Sequence, residues 1–219
     1  MKPREVRLST TPTPEALADL RLGDIVYLDG LMYTAREGVY MRAIEEKANI
    51  PMELPQQSAA NFHCSPAARI NEDGTFELGA VTATASFRFA KWIGEWLAKS
   101  GAKLVVGKGG MSHDTYLEHF VPNGAIYLTT VGYGTGALLG RGVENVEAVH
   151  WHEELGIAQA MWVIRCNKMG PFWLPQTMRA IVFLSVKTPR SKTILNGPMR
   201  ARSPRLCVDT VKRMTVPTR

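Results

Sequence analysis

"ASFRFAKWIGEWLAKSGAKLVVGKGG", Ala85 to Gly110, reads as a helix, its stop signal and a strand in succession. Phe89, Trp92, Ile93 and Trp96 recur at helical spacing and predict an amphipathic helix from Ala85. Gly101 ends it, because glycine takes the left-handed cap conformation without a Cβ penalty. Leu104, Val105 and Val106 then make the short unbroken apolar run of a buried strand. That strand ends in Lys108 set among Gly107, Gly109 and Gly110, which let the backbone turn tightly around whatever the lysine faces. An anion is the natural occupant.

Upstream, Thr13 before Pro14 and Glu15 predicts a helix start through Leu20: a capping hydroxyl, a proline in the first turn, then an acid near the positive helix end. "DIVYLDG" and "LMYTARE" are two strand-like runs separated by Asp29-Gly30, which predicts a hairpin. "EGVYMRAIEEKAN" has helical spacing, "NFHCSP" suits a strand, and Asp73-Gly74 marks a turn. Downstream, the composition predicts a helix around Asp114 to Phe120, a strand in "GAIYLTTV", a glycine turn in "GYGTGALLG", and strands near "VENVEAVHW" and in "AMWVIRC". Hairpins mixed with strand–helix–strand units predict an α/β fold with a mixed sheet and packed helices. "RAIVFLSV" suits one more strand.

The 219 residues are 45% hydrophobic and 21% charged, enough for one sizeable core. No apolar stretch reaches the length of a membrane span, and the first twenty residues lack the apolar middle of a signal peptide, so a cytoplasmic protein is expected. Cys64, Cys166 and Cys207 form no CxxC pair, which argues against a disulfide framework or a self-contained zinc or iron–sulfur site. The net charge is +6, and nine basic residues against one acid lie from Lys187 onward. The expected organisation is a domain over residues 1–186 and a basic, flexible tail over 187–219. The tail has no interleaved aromatics to stack on bases, so no nucleic-acid partner is expected.

Two glycine patterns carry less than they suggest. "VVGKGGMS" lacks the spacer of a triphosphate-binding loop, and "GYGTGALLG" lacks the GxGxxG spacing of a dinucleotide site. Three other segments make more chemical sense together. "TAREG" places Arg36 just after a strand, "TATASFR" places Thr84 and Arg88 at a helix start, and "GKGG" places Lys108 at a strand end. Substrate groups are held at such positions in open α/β sheets, and two arginines with a lysine suit a dicarboxylate. A lone arginine in a first helical turn is more often merely solvated. His150 and His152 in "HWH" would share one face of a strand, a metal-ligand pair without an evident third ligand, for which a structural role is the commoner outcome.

The ordered set "LRLGDIVYLDGLMYTARE", "TATASFRF", "KLVVGKGGM" and "VEAVHWHEELGIAQAMWVIR" resembles the small (beta) subunit of the class I iron–sulfur hydro-lyases, the L-tartrate dehydratase and class I fumarate hydratase family, over about Leu20 to Pro171. The resemblance implies a swivelling β/β/α domain that closes over a larger alpha subunit carrying a [4Fe–4S] cluster, in a heterodimer or heterotetramer. It implies reversible addition or removal of water on a C4 dicarboxylate, fumarate/malate or L-tartrate/oxaloacetate, and no activity without the alpha subunit. The family's site residues fall on Arg36, Thr84, Arg88 and Lys108. Arg36, Arg88 and Lys108 would stabilise charge on the substrate, and Thr84 is the candidate for proton transfer. His63 resembles a histidine of the tartrate dehydratase branch and joins the candidates for substrate binding. Glu37 and Tyr40 stand where the family has aspartate and histidine, "VTATASFR" lacks the usual Gly-Pro turn, and the likeness fails after Pro171. Those departures are also consistent with a rival reading, a non-catalytic dicarboxylate-binding or regulatory relative that has lost its partner.

Overall fold

The structure, a computed structural model, describes residues 2–132 and 134–175. In chain order it contains β1 (Glu5–Ser9), α1 (Pro14–Ala18), β2 (Ile25–Thr34), α2 (Glu37–Tyr40) with a π-helical continuation Met41–Glu45, β3 (Ala60–Phe62), β4 (Cys64–Ile70) and β5 (Phe76–Ala83). A 3₁₀ turn, Ser86–Phe89, leads into α3 (Ala90–Ser100), followed by β6 (Leu104–Gly107), α4 (His113–Thr115) with a π-helical continuation Tyr116–Phe120, and β7 (Ile126–Thr130). The described part ends with α5 (Gly136–Gly140), β8 (Val143–His150), α6 (His152–Leu155) and β9 (Met161–Trp173).

Strands β1, β2, β3, β6 and β7 run parallel to their neighbours, while β9 is antiparallel to β2, β7 and β8. Because β9 pairs with both β2 and β7, the sheet curls shut, and β2, β3, β6, β7 and β9 form a closed ring of strands. Strand alternation sorts the side chains into two cores. Leu104, Val106, Ile126, Leu128 and Met32 point into one, with Phe62, Trp162 and Phe172. Val105, Tyr127 and Tyr33 point to the other, where α3 lays down Trp92, Ile93, Trp96 and Leu97. Each such side chain contributes about 1.5–3 kcal/mol when fully buried, which holds α3 against the sheet despite its modest length. Strands β4 and β5 form a separate two-stranded hairpin around the turn at Asn71–Thr75.

Several sequence expectations hold at the level of detail. Thr13 caps α1, its hydroxyl accepting from Ala16 N at 3.3 Å, and Gly101 closes α3 at φ 65°. Others do not. Asp29-Gly30 is no hairpin: β2 is one ten-residue strand, and Gly30 (φ 119°) sits where its register against β9 shifts, so the pair marks a β-bulge. Arg7 on the adjacent β1 holds the Asp29 carboxylate, through Nε at 2.8 Å. "GYGTGALLG" contains the short helix α5 rather than only a turn, and "AMWVIRC" is the first half of a thirteen-residue strand. His150 and His152 do not share a strand face, because Trp151 (φ 59°) ends β8 and starts α6 between them. His152 instead meets the edge of Phe76, ring centroids 5.6 Å apart. No described helix is long and apolar enough to cross a membrane. The expected strand "RAIVFLSV", the basic tail and Cys207 lie outside the described residues.

Candidate functional site

Three neighbouring parallel strands end at one rim of the closed sheet, and each delivers a residue singled out in the sequence. Arg36 follows β2 and opens α2, His63 follows β3, and Lys108 follows β6. The chain returns to this rim at Thr84–Ser86 after the β4–β5 hairpin and lies alongside the end of β6. His63 O accepts from Thr84 N at 2.6 Å, Thr84 O accepts from Lys108 N at 3.1 Å, and Lys108 O accepts from Ser86 N at 3.0 Å. Thr84 and Lys108 are thus held together by backbone bonds, and Arg88 is carried one turn further on by the 3₁₀ segment. Carboxyl ends of parallel strands are where α/β sheets leave donor groups uncommitted, so the placement follows from topology.

The electrostatics of this rim are positive and only partly compensated. Burial and the neighbouring Arg88 guanidinium push Arg36 below its ordinary value. Arg36 donates from Nη1 to Ala158 O at 2.8 Å, while its buried Nε has no partner among the described residues. Glu37 lies 3.8 Å from Arg88, with both side chains about half exposed (48% and 50%), a long and solvated pair worth little. Neither Arg36 nor Lys108 is in an ion pair among the described residues. Beside Lys108 a cavity of about 90 Å³ is bounded by Thr82, Thr130 and the glycine-rich turn before α5. The arrangement is a cationic wall that gathers two guanidinium groups and an ammonium group.

Beneath this wall lies a polar chain that sequence reasoning resolved only in part. Tyr40 Oη is 2.6 Å from His63 Nε2 and accepts from Asn61 Nδ2 at 2.7 Å. His63 Nδ1 is 2.8 Å from Ser86 Oγ, which also accepts from Tyr127 Oη at 2.8 Å. Tyr127 Oη in turn accepts from Gly110 N in the lysine loop at 3.4 Å. Burial holds His63 down to about 3, so the imidazole is neutral, and burial raises the Tyr40 and Tyr127 phenols. His63 and Tyr40 are fully buried, with their polar atoms bonded inside the chain. Ser86, Asn61 and Tyr127 were missed: a serine at a helix start looks like a cap, and a lone asparagine or tyrosine in an apolar strand carries no spacing signal.

The donor set of the described residues does not fit a metal cluster. An iron–sulfur cluster needs three or four thiolates, whereas Cys64 and Cys166 are buried and their thiols are pushed up by desolvation. Among the described residues no group of three His, Cys, Asp or Glu side chains could hold a metal ion.

Comparison with known proteins places the chain in a family. The profile of the family described as Fumarase C-terminus matches residues 1–174. The chain is 38% identical over 168 residues to the L(+)-tartrate dehydratase subunit beta of Escherichia coli (strain K12), covering 75% of this chain and 80% of that protein. It is 33% identical over 162 residues to a Geobacillus stearothermophilus protein provisionally named class I fumarate hydratase, covering 74% of this chain and 30% of that one. With a family match across most of its length, the four rim residues in the expected order and relatives of both branches, this chain belongs to the Fumarase C-terminus family.

Proposed function

We propose that the chain is the beta subunit of a hydro-lyase that reversibly adds or removes water on a C4 dicarboxylate, L-tartrate/oxaloacetate or fumarate/malate. Its partner is a larger alpha subunit that carries a [4Fe–4S] cluster, and this domain swivels to close over it. The observation that carries the reading is the convergence of Arg36, Thr84, Arg88 and Lys108 on one rim as an open, cationic half-site. An open half-site suits a subunit completed by another chain.

In dehydration a C–H bond beside one carboxylate and the C–OH bond on the next carbon break, a C=C bond forms, and water leaves. Arg36 and Arg88 grip a carboxylate and hold the substrate against the rim. As the proton departs, negative charge spreads into the adjacent carboxylate, and Lys108 stabilises that developing charge. Thr84, whose backbone carbonyl accepts from Lys108 N at 3.1 Å, supplies the hydroxyl for proton transfer in this reading. The half-exposed Glu37 moderates the charge of Arg88 without cancelling it.

The test is anaerobic purification with the associated subunit, followed by assays of L-tartrate dehydration and fumarate hydration. Arg88→Ala is expected to lower kcat/KM about a hundredfold or more, roughly 3 kcal/mol. Turnover that survives this change, or a wild-type complex inactive on both substrates, overturns the proposal.

A further inference from the structure

The buried chain Asn61–Tyr40–His63–Ser86–Tyr127 has no part in the chemistry proposed above, yet two of its members, Ser86 and Tyr127, are bonded to the rim. Its members are almost wholly shielded from solvent, at 0% exposure for Tyr40, Asn61, His63 and Ser86 and 1% for Tyr127. A serine 2.8 Å from a histidine invites comparison with a hydrolytic nucleophile. That idea fails on access, since no substrate carbon can approach a hydroxyl with no exposed surface.

Asn61 Nδ2 lies 2.7 Å from Tyr40 Oη, Tyr40 Oη lies 2.6 Å from His63 Nε2, and His63 Nδ1 lies 2.8 Å from Ser86 Oγ. Tyr127 donates to the same serine oxygen at 2.8 Å, so the Ser86 hydroxyl is held from two sides. Gly107 makes room for this: a Cβ there would collide with Ser86 Oγ.

Ser86 lies in the turn that bears Thr84 and Arg88, two residues from each, and its amide is bonded to Lys108 O. At the other end Tyr127 Oη holds Gly110 N, two residues beyond Lys108. The chain thus ties the threonine–arginine turn and the lysine loop to a common buried anchor. The geometry points to Tyr40, His63, Ser86 and Tyr127 as positioning residues that set the spacing of Arg88, Thr84 and Lys108 for a dicarboxylate. This deepens the proposed function and rests on it. The physical reason is that a site built on a turn and a glycine loop loses its ligand when either shifts by about an ångström.

The experiment uses Tyr127→Phe and Ser86→Ala, singly and together, in protein purified anaerobically from its own cells with the subunit that accompanies it. Binding of succinate, a C4 dicarboxylate with no hydroxyl or double bond to react, is measured by calorimetry. Turnover of L-tartrate and fumarate and the melting temperature are recorded alongside. Each single variant is expected to weaken succinate binding about tenfold and to lower kcat by more than it raises KM. The double variant should lose little more than the worse single one, because the groups act as one chain. Unchanged binding and turnover, with or without a lower melting temperature, would make the chain purely structural and overturn the inference. A wild-type protein that binds succinate but turns nothing over overturns the hydro-lyase reading while leaving the positioning test readable. Failure of the wild type to bind succinate overturns both.

Discussion

Acidification should weaken this protein well before its carboxylates are titrated, and the cause lies in His63. In the fold its imidazole is buried among Tyr40, Asn61, Ser86 and Phe89, none of them charged, and is pushed down to about 3, against 6.5 for a free histidine. Between those values the unfolded chain binds a proton that the folded chain refuses, so stability falls as pH falls through 6.5 and levels off only near 3. From pH 7 to pH 5 the loss is about 2 kcal/mol, since each pH unit fully inside the window costs about 1.4 kcal/mol. In a domain of this size that is a drop of roughly 4–8 °C in melting temperature. Asp24 and Asp29, held low by Arg4 and Arg7, are ionised in both states at pH 5 and contribute only further down. His150, lowered by partial burial, acts in the same sense, so the comparison must be made against His63→Gln. Melting curves at pH 7 and pH 5 should differ by about 2 kcal/mol more in the wild type than in the variant. Equal pH dependence, or an imidazole NMR signal of His63 that titrates between pH 5 and 7, would refute the argument.

Two further substitutions test the packing. Gly107→Ala places a methyl group against Ser86 and Tyr127 at the end of β6 and is expected to cost about 1–3 kcal/mol, with anion binding lost in parallel; urea unfolding combined with succinate titration checks both. Thr13→Ala removes the cap of α1 and should cost about 1 kcal/mol with no effect on ligand binding, readable as a lower urea midpoint at an unchanged slope.

The elements legible in the sequence were those whose signals are local. The cap at Thr13, the α3 stripe with Gly101 behind it and the Leu104–Val106 run depend on spacing and backbone propensity, and each stands in the structure. Asp29-Gly30 misled because an Asp-Gly pair serves a bulge as well as a turn, and the choice is made by β9, more than 130 residues away. The second half of β9 was invisible for a similar reason: Asn167, Lys168 and Gly170 break the alternation, and pairing with β2 sustains the strand through them. Arg36, Thr84, Arg88 and Lys108 stood out through the motifs of the family resemblance and their places at strand ends and a helix start, and the fold brings them to one rim. Ser86 and Tyr127 did not stand out, because a buried hydrogen bond between distant residues leaves no periodic trace.

The strand that seals the sheet also sets the order in which the protein can assemble. Every parallel pairing among β1, β2, β3, β6 and β7 is available once residue 130 has been made, but the ring lacks its last member until Met161–Trp173 emerges. During synthesis the chain therefore carries an open-edged sheet, with β2 and β7 both awaiting the same partner. Contacts of such long sequence separation slow folding, and exposed strand edges invite pairing with other chains. A chain cut short before β9 should thus retain all four rim residues and still be lost to aggregation.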